Sequence, residues 1–202
     1  MRLPTALVSS AVAGALTLTV SSCSSSSSTP AMDHNATSMP GMSATTSMSA
    51  ALAGRAGDVM FAQMMIPHHQ QAIEMADIAL GKPSASAKVR ELAAQIKAAQ
   101  DPEITLMTGW LTSWGASTAT AGGMGQAMGS GMMSDTDLTA LRAAQGAEFD
   151  RRWLTGMIAH HQGAVLMANQ VLAITTDPAV KALAESIVNT QTAEITTMQA
   201  QL

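Results

Sequence analysis

The chain has 202 residues, a formal net charge of −4 and only 12% charged residues, which excludes the basic footprint that nucleic acid demands. Aromatic residues make up 2% and Tyr is absent, and so Ala-rich, aromatic-poor and β-branched-poor a composition favours helix over sheet. Against that plain background stand Met 17 and Cys 1, and the methionines are what the rest of the sequence has to explain.

In chain order, Arg2 and the apolar run "ALVSSAVAGALTLTV" form a targeting segment too short to span a membrane stably. It runs into "VSSC", with small residues directly before Cys23. That order resembles a bacterial lipoprotein signal, in which residues 1–22 are cleaved and Cys23 becomes a lipidated first residue. The alternative is an ordinary secretory signal with an incidental cysteine. A lone lipidated cysteine means no disulfides, so packing must hold the domain together. Residues 23–54 read as a disordered Ser/Thr/Met-rich tether carrying Met32, His34, Met39, Met42 and Met48.

The ordered sequence, 55–202, repeats itself. "DVMFAQMMIPHHQQAIEMADIAL", 58–80, pairs with "DRRWLTGMIAHHQGAVLMANQVL", 150–172, and "VRELAAQIKAAQDPEITLMTGWL", 89–111, pairs with "VKALAESIVNTQTAEITTMQAQL", 180–202. Repeat 1 spans about 58–111 and repeat 2 about 150–202, with a Gly/Met-rich linker at 115–133. Positions 58, 61, 65, 68, 72, 75 and 79 keep the 3–4 spacing of one helix face, as do 89, 92, 96, 100, 103, 107 and 111. Each copy is therefore a helical hairpin, and two hairpins pack most simply as an all-α four-helix bundle with approximate two-fold symmetry. "SDTDL", 134–138, offers a capped start for a short extra helix. Pro67 and Pro102 fall inside their helical patterns as kinks, or Pro102 begins a new helix capped by Asp101.

Both copies hold a histidine pair behind a methionine: Met65 with His68 and His69, and Met157 with His160 and His161. Adjacent helical residues diverge by about 100°, so at least one imidazole of each pair should face the interior. The partner helices present Gln100, Glu103 and Met107, then Gln191, Glu194 and Met198. A lone histidine on an apolar face is usually a satisfied core residue, and a Met stripe is usually filler. Duplication of the pair argues against both, because a buried imidazole needs partners and a metal backed by Glu103 or Glu194 supplies them. His–Glu hydrogen bonds without metal remain the competing account. Soft thioethers favour Cu(I), whereas zinc sites use Cys or closely spaced His. Met124, Met128, Met132 and Met133 lie among glycines with nothing to pack against, and read as exposed copper-capture sites.

These motifs, "MIPHHQQAIEMA" and "MIAHHQGAVLMA", each followed by Gln-x-x-Glu-Ile-x-x-Met, resemble both halves of the domain of unknown function 305 family over about 55–202. The resemblance implies a ferritin-like bundle. It also implies copper binding through Met and His, as in exported members that contribute to copper resistance. By position it implicates Met65, His68, His69, Met75, Met157, His160, His161 and Met167; whether Glu103 and Glu194 bind or orient stays open. The expectation is a lipid-anchored, extracytoplasmic protein that binds copper for sequestration, tolerance or delivery to a transfer partner, with no nucleic-acid partner and no catalytic residues. One alternative is a metal-dependent oxidase of ferritin-like type, although Met65, Ile66, Met157 and Ile158 stand where its Glu-x-x-His motifs would need Glu. Another is a structural or adaptor lipoprotein without metal.

Overall fold

A computed structural model of the chain describes residues 54–118 and 131–202. Five helices make up the described part: α1 Arg55–Leu80, α2 Ala87–Ser113, α3 Asp135–Ala143, α4 Gly146–Leu172 and α5 Pro178–Gln199. The signal segment, Cys23, the tether methionines, Met124 and Met128 lie outside these residues. Among the described residues no helix is long and apolar enough to cross a membrane.

The duplicated hairpins are the architecture. α1 pairs with α2, α4 pairs with α5, and the two hairpins join chiefly through α1 against α4, the two helices that carry the histidines. The short α3 lies on α4. On α1 the whole expected stripe, Asp58, Phe61, Met65, His68, Ala72, Met75 and Ala79, is buried. The α2 stripe is buried at Val89, Leu92, Ile96, Gln100, Met107 and Leu111, with Glu103 at its margin. A periodic apolar face thus becomes a packed face, which is where most helical stability in proteins originates.

Three of the five helix starts are set by side chains that accept orphaned amides. Ser86 Oγ accepts the Val89 amide at 3.2 Å, and Ser134 Oγ accepts the Asp137 amide at 3.1 Å, giving α3 its start. Asp177 accepts the amides of Ala179 and Val180 at 2.9 and 3.3 Å, with Pro178 at the first helical position of α5. Burial pushes the Asp177 carboxyl up, but these amides and Arg55 outweigh it and hold it below its ordinary value. Pro102 does not begin a new helix: α2 continues through it from Ala87 to Ser113. The buried residues on either side, Gln100 and Met107, keep the helix on its packed face despite the missing backbone bond.

The interior is layered along the bundle. One apolar cluster holds Phe61, Met65, Met107, Leu111, Met167, Val171, Val180 and Ile187. The other holds Met75, Val89, Ile96, Leu141, Phe149, Trp153, Met157 and Met198. Between them on the same four helices come His68, His69, Gln100, His160, His161 and Gln191, all buried. A polar layer therefore divides two apolar cores, and it holds the histidine pairs.

Candidate metal centre

Both histidines of each pair are buried, and they point to different partners. His69 turns toward α2, where its Nε2 lies 2.8 Å from Glu103 Oε2. Its counterpart His161 turns toward α5, 2.7 Å from Glu194 Oε2. His68 and His160 turn instead toward each other across the α1–α4 interface, with ring centroids 3.7 Å apart and planes tilted by 37°. The 100° divergence between neighbours is satisfied because α1 and α4 are covered on two sides, by their hairpin partner and by each other.

The carboxylates settle which nitrogen carries the proton. A carboxylate only accepts, so His69 and His161 donate through Nε2, and in the neutral ring the lone pair is then on Nδ1. Both Nδ1 atoms are buried and lack a hydrogen-bond partner. A carboxylate behind an imidazole is the arrangement that orients histidine as a metal ligand. Neither ring nitrogen of His160 makes a hydrogen bond of normal geometry. Burial pushes this imidazole well below the ordinary histidine range, His68, His161 and His69 lower it further, and a backbone contact with His68 only partly opposes them. His160 is therefore neutral at neutral pH. Buried polar atoms without partners cost about 1–3 kcal/mol each, and Gln100 Oε1 and Gln191 Oε1 add two more to the layer.

The methionines flank this layer in two symmetric groups. Met65 and Met107 of the first repeat share a cluster with Met167 of the second. Met157 and Met198 of the second repeat share the other cluster with Met75 of the first. Each group thus takes its third thioether from the opposite hairpin, and all six side chains are buried. The residues nominated by sequence form no single centre. They are three adjoining layers: thioethers, imidazoles with their carboxylates, thioethers. Among the described residues no three His, Cys, Asp or Glu are grouped to hold a metal ion. The donor set accordingly suits a soft ion taken by thioether and neutral imidazole rather than a hard ion caged by carboxylates.

The sequence carries no sign of Gln71 in this neighbourhood, and it places Met133 in the open linker. Gln71 binds the linker's end: its Nε2 donates to the Met133 carbonyl at 2.9 Å, and its Oε1 accepts the Met133 amide at 2.7 Å. Met133, read from sequence as an exposed linker residue, is half-buried and packs against the cluster of Met75, Met157 and Met198. The only available signal was that "MM" directly precedes the Ser134 cap, which brings the linker back to the bundle.

The sequence profile of the family described as Domain of unknown function (DUF305) matches residues 58–202. No curated protein matches the chain. Among solved structures, a DUF305 protein from Streptomyces coelicolor, predicted to be secreted, is 32% identical with a TM-score of 0.67, covering 72% of this chain and 89% of that one. A DUF305 fragment from Deinococcus radiodurans is 34% identical with a TM-score of 0.65, covering 71% and 93%. CopM in its Cu(II)-bound form is 37% identical with a TM-score of 0.63, covering 71% and 94%. CopM has also been solved with Cu(I), with Ag and in an apo form.

Proposed function

The chain belongs to the DUF305 family, and on that premise we propose that it is an extracytoplasmic copper-binding protein that sequesters or delivers Cu(I). The observation that carries this reading is the pairing of two symmetric methionine groups with a buried histidine layer between them, in which His160 is held neutral. Met65, Met107 and Met167 would hold an ion on one side, and Met75, Met157 and Met198 on the other. His68 and His160 lie between, and Glu103 and Glu194 orient His69 and His161. Thioethers carry no proton to lose and form no disulfides, which suits an oxidising compartment. CopM, with its copper-bound and silver-bound forms, supports the same ligand class.

Competition for Cu(I) between the purified protein and a chelator of known affinity tests the proposal, with a His68/His69/His160/His161→Gln variant in parallel. The expected result is binding weakened at least about tenfold in the variant, the scale on which altered ligand shells act. Equal binding by the two proteins would put any copper outside the histidine layer. Full stability and unchanged function in the variant would favour the structural reading.

Anchoring through a lipid on Cys23 is part of the same proposal and would hold the bundle at the cell envelope. Labelled palmitate should enter the wild-type chain expressed in bacteria and be absent from Cys23→Ala. Label in both proteins, or in neither, would refute the anchor.

A further inference from the structure

The duplicated halves differ at one place that bears on copper. Where the first copy has Met64 the second has Gly156, and where the first has Gln71 the second has Gly163. Met64 packs against the cluster of Met65, Met107 and Met167. Gly156 has no side chain to do the same for the other cluster, and Met133 arrives from outside the helix to pack there instead. A Cβ on Gly156 would lie 3.0 Å from Met133 Sδ and 3.4 Å from Met75 Cε, so two methionine side chains converge over this glycine.

The segment carrying Met133 is held deliberately close. Gln71 takes both its amide and its carbonyl. Gly131 has φ +70°, and a Cβ there would fall 1.9 Å from the Ala159 carbonyl oxygen, which leaves room for glycine alone. Packing by itself does not require this device. Any apolar side chain at position 156 would fill the notch from α4, without the entropy of ordering a separate segment. A thioether occupies the corresponding position in both halves although the backbone supplying it differs, which points to the sulfur and not to the volume.

Beside Met133 opens a cleft of about 500 Å³ whose lining includes Met132, Met133 and Gly156 together with the charged Asp137, Glu148, Arg151 and Arg152. Glu148 is engaged by both arginines and Asp137 accepts from the Ser134 hydroxyl, so the thioethers are the soft donors the cleft offers. Met75 behind them is fully buried.

We propose that this cleft is a binding site for a soft monovalent cation, held by the thioethers of Met133 and Met75 over Gly156. There the ion passes between solvent and the buried group of Met75, Met157 and Met198. The inference rests on the copper reading above and adds a ligand and a route to it.

Silver nitrate, a soft probe that does not change oxidation state, can be titrated into the full chain labelled at the methionine methyl carbons and followed by NMR. The Met133 and Met75 methyls should shift together. Met133→Leu keeps the volume and removes the sulfur; Gly156→Ala crowds the Met133 sulfur and forces it away from Met75 by a few tenths of an ångström. Each should weaken the silver response of Met75 at least about tenfold, while Met65, Met107 and Met167 respond as before. If Met75 titrates without Met133, or with equal affinity in both variants, Met133 is filler and the inference falls while the copper reading stands. If no bundle methionine responds, the copper reading fails and takes the inference with it.

Discussion

His160 is a buried histidine whose surroundings hold its proton affinity well below the ordinary value. Its ring lies tilted against His68, buried, and held neutral by desolvation and by three neighbouring imidazoles. The consequence for pH follows from linkage. The folded value lies below the ordinary one of about 6.5, so in the window between them the unfolded chain binds a proton that the folded chain refuses. Stability of the metal-free protein therefore falls as pH drops below about 6.5, with a contribution from His160 of up to about 1.4 kcal/mol per pH unit. Urea unfolding between about pH 7 and pH 5.5 should show this slope, and His160→Gln should flatten it. Identical slopes in the two proteins would place the titration elsewhere. The histidine pairs themselves could be read from the sequence, since a buried imidazole is costly and this chain repeats the pair. The outcome for each ring could not, because a single helix shows that neighbours diverge but not that partners cover both directions. The His69–Glu103 contact was within reach, as the repeats align Glu103 with Glu194; the His68–His160 contact depends on how one hairpin meets the other.

At the scale of helices, the stripes recovered from 3–4 spacing are the packed faces, since amphipathic periodicity is a direct record of burial. The cap at Ser134 was equally readable, in "SDTDL" directly before the run. Pro102 was ambiguous because local sequence cannot weigh one lost backbone bond against a whole packed face. Met133 was misread for a related reason: a Gly-rich stretch looks free of contacts until a glycine notch on α4 and an amide on α1 give its last residues a seat. Asp177 joins two elements, capping α5 while accepting from Arg55 Nη1 at 3.0 Å. Its replacement by Ala should cost about 1–2 kcal/mol, and Asp177→Asn, which keeps an oxygen acceptor, should recover most of that. Thermal or urea unfolding of the three proteins checks it; an Ala variant as stable as wild type would mean that Pro178 alone starts the helix.

Across the whole molecule, duplication does more than double a motif. Each methionine group borrows one member from the opposite hairpin, Met167 for one and Met75 for the other, so neither repeat alone assembles a complete group. The bundle and its two-fold plan followed from the repeats, whereas this exchange is a property of assembly that no single stretch of sequence displays. Copper binding inside the bundle requires sulfur from the core, and X-ray absorption at the copper edge of the Cu(I)-loaded protein reads it directly. The wild-type chain loaded with one equivalent of copper should show a shell dominated by sulfur, and most of that shell should be lost when Met65, Met75, Met107, Met157, Met167 and Met198 are replaced by Leu. A shell of nitrogen and oxygen alone, or a sulfur shell that survives the six replacements, would contradict the assignment of copper to the bundle interior.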